Sequence, residues 1–216
     1  MSAENAKTER VSIERDGAAA ARAALEHVIG DGGIAVFPAD GLYGLACDPL
    51  NESAVDRIQS LKGRDEAKPS AVMYFTPLVM RELIGEMGAR TQEAVATLLP
   101  GPVTLVIANP VERYPLACRE DPGRLGVRLI GGPLAATRVV VLQTSANRSG
   151  EPAASRFADV DPAILSAVEL SIDGGELSGK PSTVVDLSEV DSGGDWSVLR
   201  EGAIDRVELE RTMAGV

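Results

Sequence analysis

The sequence predicts a single α/β domain in which helices flank one twisted, mixed β-sheet. Strand-length runs of β-branched residues alternate with helical patterns from one end of the chain to the other. No repeat, low-complexity tract or linker divides the 216 residues. The composition is 44% hydrophobic but only 3% aromatic, so the core must be built mainly from aliphatic side chains.

The chain divides into three parts on this interpretation. Residues 1–16 form a polar N-terminal arm that contains an edge strand at residues 11–13. Residues 17–205 form the folded domain, and residues 206–216 form a C-terminal tail.

Helices are predicted where apolar residues recur at helical spacing and a capping or breaking residue marks an end. "GAAAARAALEHVIGDGG" is a helix that stops at Gly30 or Gly32. Asn51 or Ser53 caps a second helix that runs to Leu61. Further helical patterns lie at residues 78–87 and 91–99, after Asp161-Pro162, and from Ile204 onward.

Strands are predicted where short runs rich in Val, Ile and Leu lie between turn residues. These runs lie at residues 34–37, 70–75, 103–108, 125–130, 139–144, 168–173, 182–187 and 196–201. The stretch "PADGLYGLACDP" at residues 38–49 is interpreted as a loop.

The net charge of −11 argues against nonspecific nucleic-acid binding, which needs an electropositive surface. A local cationic cluster in a cleft can still bind an anion. No apolar run approaches the roughly 20 residues of a membrane span, and the N-terminus lacks a signal-peptide core. We therefore expect a cytoplasmic protein without membrane association. Cys47 and Cys118 are too few for a disulfide framework, so they are expected to be reduced packing residues.

Three common site types are excluded by the motifs. "GGELSGKPS" has the glycines and lysine of a phosphate-binding P-loop, but Pro181 stands where Ser or Thr should follow and a strand comes next instead of a helix. His27 is the only histidine, which excludes His-rich metal sites and a Ser-His-Asp triad. Asp173 and Asp186 could ligate Mg²⁺, but an Asp at a strand end is more often a turn residue.

Basic and small polar residues collect at the ends of the predicted elements. Lys62 ends a helix, where a solvated cation is favourable and is the simplest interpretation. Arg124 and Arg128 point to the same face of one strand because side chains alternate along it. Arg128 lies in the apolar run "LGVRLI" and needs a partner. Together with the hydroxyl-rich strand tip "LQTSANRSGEP", these cations favour an open cleft for a ligand that carries phosphate and carboxylate.

Seven motifs occur in an order that resembles the YrdC-like threonylcarbamoyl-AMP synthases. They are "FPADGLYGLACDP", "LKGRDEAKPS", "LLPGPVTLVI", "LGVRL", "TSANRSGEP", "GKPSTVVDL" and "VLREGAI". The resemblance spans about residues 17–205 and implies the YrdC-like fold in its short, single-domain form. It implies an enzyme that uses ATP, L-threonine and bicarbonate to make threonylcarbamoyl-AMP and pyrophosphate. A downstream transferase then passes the threonylcarbamoyl group to an adenosine of certain tRNAs.

The resemblance also implies roles for individual residues. Its central polar group corresponds to Lys62, Arg64, Ser145 and Asn147. The positions expected to contact ATP are Arg64, Lys68, Arg124, Asn147, Ser155 and Arg200. The positions expected to hold L-threonine are Arg128, Ser145 and Ser182. Mg²⁺ is expected to arrive with the ATP phosphates, so no protein metal site is predicted.

The chain departs from the family pattern in two places. The family usually reads P-T-D-T-V-Y-G-L, whereas this chain has "PADGLYGL", so Ala39 and Gly41 replace two threonines. The segment between Arg128 and Thr144 is also short, and a helix there is reduced to "GGPLAATR". These departures leave open a catalytically altered paralogue that binds a nucleotide or RNA, with weak tRNA or double-stranded RNA contact. A third hypothesis is a related domain that handles carbamoyl-adenylate.

Overall fold

The computed structural model describes residues 8–63 and 69–214, and within these ranges ten strands form one sheet. The strands are β1 (Glu9–Ser12), β2 (Ala35–Ala39), β3 (Leu42–Cys47), β4 (Ala71–Tyr74), β5 (Val103–Ala108), β6 (Arg124–Leu129), β7 (Val141–Ser145), β8 (Leu170–Asp173), β9 (Thr183–Asp186) and β10 (Ser197–Arg200). The helices are α1 (Ile13–Asp16), α2 (Ala18–Gly30), α3 (Glu52–Lys62), α4 (Pro77–Glu86), α5 (Ala89–Leu98), α6 (Pro115–Cys118), α7 (Pro162–Ser166) and α8 (Arg206–Thr212). Single 3₁₀ turns lie at Gly132–Leu134, Phe157–Asp159 and Val190–Ser192.

The sheet is mixed, as the sequence predicts. Its strand order is β1-β8-β2-β3-β7-β4-β6-β5-β9-β10. Four neighbouring pairs run parallel, namely β1 with β8, β2 with β8, β4 with β6, and β5 with β9. The other five pairs run antiparallel.

The two faces of the sheet are covered differently. One face packs on α3, α4 and α5 and forms the larger core cluster, to which β6 contributes Leu125, Val127 and Leu129. The other face is covered by α2 at the end that holds β1, β8 and β2. Beyond that end, the alternate residues of β6 and its neighbours line a cleft. A period-two strand with one face in the core and one face in a cleft explains the alternation of apolar and polar residues.

Most predicted helix ends are confirmed. Asn51 caps α3 by accepting a hydrogen bond from the Ala54 backbone N–H at 3.1 Å. Asp161 caps α7 in the same way through Ala163 at 2.7 Å. Helix α2 ends at Gly30, as predicted. The predicted edge strand lies at Glu9–Ser12, whereas the division into arm, domain and tail stays a prediction.

The interpretation of residues 38–49 as a loop is wrong. Most of the stretch is hairpin, since Ala39 pairs with Leu42 and β3 continues to Cys47 between β2 and β7. The turn is the two residues Asp40 and Gly41, and Asp40 has a φ of 65°. An Asp-Gly pair between apolar runs is a strong hairpin signal. The glycines and proline of this stretch concealed that signal.

Other expectations are settled by the described residues. The short helix predicted in "GGPLAATR" is only the 3₁₀ turn Gly132–Leu134. The P-loop-like stretch leads into β9 without a helix, which confirms its rejection. His27 is exposed on α2 and lies beside Asp31. Cys47 and Cys118 are free and buried, as predicted. Within the described ranges, no helix is both long enough and apolar enough to cross a membrane.

Candidate functional site: a cation-lined cleft

A cleft of about 860 Å³ opens on the uncovered face of the sheet. This volume lies within the range of sites that bind small molecules and cofactors. Its floor consists of alternate residues of β4, β5, β6, β7 and β9, and its walls are the loops that follow β7 and β8. Cations and polar side chains line it: Lys62, Arg124, Arg128, Lys180, Arg200, Thr104, Gln143, Ser145, Asn147, Ser149 and Ser182.

Lys62 holds the tip of β7. The side chain is almost fully buried at the end of α3, so a solvated cation is the wrong interpretation. Its Nζ donates to the backbone carbonyls of Ser145 at 2.5 Å and Asn147 at 2.9 Å. The same Nζ lies 3.5 Å from Ser145 Oγ and 3.4 Å from Asn147 Oδ1. Lys62 therefore contacts both Ser145 and Asn147 at the tip of β7.

Asn147 stabilises the loop that follows through hydrogen bonds to its backbone. Its Nδ2 donates to the carbonyls of Arg148 at 2.9 Å and Glu151 at 2.6 Å. The backbone N–H of Ser149 donates to the Lys62 carbonyl at 2.8 Å. The hydroxyl-rich stretch after β7 is thus a fixed wall of the cleft.

Arg128, like Lys62, is an almost fully buried cation of the cleft, with only 6% of its side chain exposed. Its Nη2 donates to Asp40 Oδ2 at 2.6 Å, and its Nη1 donates to Gln143 Oε1 at 3.0 Å. Within the described residues, its Nε has no hydrogen-bond partner. A buried donor without a partner costs free energy, and a ligand carboxylate would satisfy it.

Burial shifts the pKa values of both members of the Arg128–Asp40 pair. Burial lowers the pKa of Arg128, the Asp40 carboxylate opposes that shift, and the positive charge of Arg200 lowers the pKa of Arg128 further. Burial raises the pKa of Asp40, and Arg128 opposes that shift. Arginine stays protonated in proteins, so Arg128 remains a cation.

Other polar residues of the cleft are more exposed than Arg128. Arg124 pairs with Asp186 and lies 3.8 Å from Asp121. Arg200 Nη2 on β10 donates to the Ser182 carbonyl at 2.8 Å and lies 3.3 Å from Ser182 Oγ. Ser182 Oγ also shares a hydrogen bond of 2.8 Å with Thr104.

The structure therefore places most of the sequence-predicted site residues in one cleft. The residues brought together are Lys62, Arg124, Arg128, Ser145, Asn147, Ser182 and Arg200. Ser155 does not line the cleft, although it lies beside Gly179, which does. Arg64 and Lys68 lie outside the described residues.

Sequence reasoning missed several residues of the site, including Thr104, which bonds to Ser182. Asp40 and Gln143 bind Arg128, and Lys180 lines the cleft. Arg128 in an apolar strand was the one signal that a buried acceptor must lie nearby.

Fold and site together define a class of protein: a mixed α/β domain whose cation-lined cleft suits an anionic ligand. Comparison with known proteins makes the class specific. The model of the Sua5/YciO/YrdC family, described as "Telomere recombination", matches residues 27–202. The chain therefore belongs to this family.

Curated relatives and a solved structure agree with that assignment. The threonylcarbamoyl-AMP synthase of Chromohalobacter salexigens is 34% identical over 163 residues, which cover 72% of this chain and 86% of that protein. The synthase of Methylobacillus flagellatus is 29% identical over 169 residues, which cover 76% and 93%. The crystal structure of Pyrococcus abyssi Sua5 complexed with L-threonine matches with a TM-score of 0.80 and 27% identity. That match covers 95% of this chain but only 61% of P. abyssi Sua5.

Proposed function

We propose that this protein is an L-threonylcarbamoyladenylate synthase, a nucleotidyltransferase for threonylcarbamoyl-adenosine modification of tRNA. The observation that carries the proposal is that one cleft, in a member of the Sua5/YciO/YrdC family, collects cations and hydroxyls from six separate motifs. The relatives named threonylcarbamoyl-AMP synthase support the same activity.

The reaction has two steps. The amino nitrogen of L-threonine attacks the carbon of bicarbonate, and water leaves to give a carbamate. A carbamate oxygen then attacks the α-phosphorus of ATP, the bond from that phosphorus to the bridging oxygen breaks, and pyrophosphate leaves. The second step needs alignment of the reacting atoms and stabilisation of phosphate charge more than a strong base.

Residues of the cleft suit these tasks. Arg128 offers its unpartnered Nε to the threonine carboxylate, with Ser182 and Ser145 beside the amino acid. Arg200 and Arg124 supply positive charge for the ATP phosphates, and Asn147 is a further proposed contact of ATP; all three residues line the cleft. Arg64, Lys68 and Ser155 remain proposed ATP contacts from their motif positions.

Mg²⁺ is proposed as the companion of ATP. Within residues 8–63 and 69–214, no group of three or more His, Cys, Asp and Glu side chains is arranged to hold a metal ion. We therefore propose that the ATP phosphates, and not a protein site, hold the ion. When bound, it would neutralise phosphate charge.

We also propose that the reaction takes place in the cytoplasm, where a tRNA-modifying transferase would consume the product. Two buried free thiols suit a reducing compartment.

Pyrophosphate release tests the proposal. We expect release from ATP only when both L-threonine and bicarbonate are present. Release that ignores either of them would contradict it. Tight tRNA binding without turnover would favour the nucleotide- or RNA-binding paralogue, and turnover that requires carbamoyl phosphate would favour the carbamoyl-adenylate hypothesis.

A further inference from the structure

The loop between β8 and β9, residues 174–182, crosses one side of the cleft, and we call it the strap. It is the stretch that resembles a P-loop in sequence but has no helix after it. Its last four residues line the cleft and include Lys180 and Ser182. At its start, Gly174 N–H donates to Tyr43 Oη at 3.0 Å, and Tyr43 Oη donates to the Gly175 carbonyl at 2.8 Å.

The strap rests directly on Gly41 in the β2–β3 turn. The Gly179 N–H donates to the Gly41 carbonyl at 2.9 Å. A Cβ added to Gly41 in ideal geometry would lie 2.0 Å from the Lys180 carbonyl oxygen and 2.7 Å from Ser178 Oγ. Gly41 does not have the positive φ that favours glycine. Glycine is therefore required here by the close approach of the strap and not by the turn conformation.

A second glycine contacts the strap near the end of β10. A Cβ on Gly202 would lie 2.3 Å from the Pro181 carbonyl oxygen and 2.6 Å from the Ser182 carbonyl carbon. The next residue, Ala203, donates its N–H to the Pro181 carbonyl at 2.8 Å. The last residues of the strap thus lie between two backbone segments that have no side chain at the point of contact.

The strap and the buried arginine share one turn. Asp40 binds Arg128, and the adjacent Gly41 carries the strap that holds Ser182. Any side chain at position 41 must move the Lys180 carbonyl, because backbone oxygen cannot rotate away as the end of a flexible side chain can. That movement would widen the cleft next to Arg128.

We propose that Gly41 is a specificity-determining residue, because it seats the strap against the amino-acid side of the cleft and so limits the side chain of the amino acid accepted there. Gly202 supports the same segment from the other side. The identity of the substrate rests on the proposed function. The claim that Gly41 holds the strap in place does not depend on that function.

Hydrogen exchange of the free protein tests the seating. The variants are Gly41→Ala and Gly41→Thr, and the matched controls are Gly131→Ala and Gly131→Thr. Gly131 has open space around its Cβ position and a φ of −94°. We expect amide exchange in the strap peptide to become about tenfold faster in Gly41→Thr, with a smaller increase in Gly41→Ala and no change in the controls. Unchanged exchange in both Gly41 variants would overturn the proposal.

Steady-state kinetics test the specificity. In Gly41→Ala and Gly41→Thr we expect KM for L-threonine to rise by roughly tenfold, while KM for ATP stays within about twofold. We also expect relatively better use of amino acids larger than threonine. General damage to the fold would instead lower kcat without distinguishing the substrates, and that result would overturn the specificity role. If the wild-type protein makes no threonylcarbamoyl-AMP, the proposed function fails while the exchange experiment still decides whether Gly41 seats the strap.

Discussion

Arg128 and Arg200 lie in the same cleft, but the protein holds them in different ways. Arg128 is buried at the floor and fixed by Asp40 and Gln143. Arg200 lies exposed on the edge strand β10, where it bonds only to Ser182 among the described residues. The difference indicates one preorganised side of the cleft, suited to a small rigid carboxylate, and one adaptable side, suited to phosphates that change position during the reaction.

Among the variants that test this difference, removal of Arg128 should lower the stability of the protein most. Arg128→Ala empties the buried position at the floor and leaves the half-buried Asp40 carboxylate without its counter-ion, which should lower the free energy of unfolding by about 3–5 kcal/mol. Denaturant unfolding measures this change. Arg128→Lys keeps the positive charge but loses the paired N–H donors of the guanidinium. This variant should therefore be more stable than Arg128→Ala and should still bind L-threonine weakly. A loss below about 1 kcal/mol in Arg128→Ala would show that the pair is not part of the preorganised floor.

Lys62 should give the next largest effect. Lys62→Met removes the donors to the Ser145 and Asn147 carbonyls, and about 1–3 kcal/mol of stability should be lost with them. Turnover should fall as well, because the tip of β7 is no longer held. Arg211 is the matched control, since it is an exposed cation in the last turn of α8. Arg211→Met should change stability by no more than about 0.5 kcal/mol, and an equal effect in the two variants would contradict the assigned role of Lys62.

The next prediction concerns Tyr43 and the dependence of protein stability on pH. Burial raises the pKa of Tyr43 to about 12, against about 10 in an unfolded chain. Between these values the folded protein keeps a proton that the unfolded chain has lost, so stability falls as the pH rises. In Tyr43→Phe this alkaline fall should be shallower by up to about 1.4 kcal/mol per pH unit. The free energy of unfolding, measured at several pH values on both sides of about pH 10, tests this. An equal fall with pH in the wild-type protein and Tyr43→Phe would contradict the raised pKa of Tyr43.

The smallest effect on stability is expected at Arg200. Arg200→Ala should change the free energy of unfolding by no more than about 0.5 kcal/mol, because the side chain is exposed. KM for ATP should nevertheless rise roughly tenfold, as expected when a charge-assisted hydrogen bond to phosphate is lost. If KM for L-threonine rose instead, the assignment of the two sides of the cleft would have to be reversed.

The sequence predicted the fold better than the partners within the site. Strand runs, caps and the shared face of Arg124 and Arg128 depend on local patterns, and the structure confirms them. The hairpin at Asp40 and Gly41 was missed because small residues concealed its alternation. The bond from Asp40 to Arg128 joins residues 88 positions apart. Only the topology of the sheet brings these two residues together, so no local pattern could reveal the pair.

The same limit applies to the strap. "GGELSGKPS" was correctly rejected as a P-loop from its next residues, but its contact with Gly41 depends on a turn more than 130 positions earlier in the chain. The departure from the family pattern at Gly41 was visible in the sequence. Its steric reason became visible only when the backbone of the strap was placed.

The most direct test of the central claim is mass spectrometry of the product formed from ATP, ¹³C-bicarbonate and a mixture of amino acids. We expect threonylcarbamoyl-AMP that carries the labelled carbon to be the main product, with little of the corresponding adducts of other amino acids. A product that lacks the label, or that contains no threonine, would contradict it.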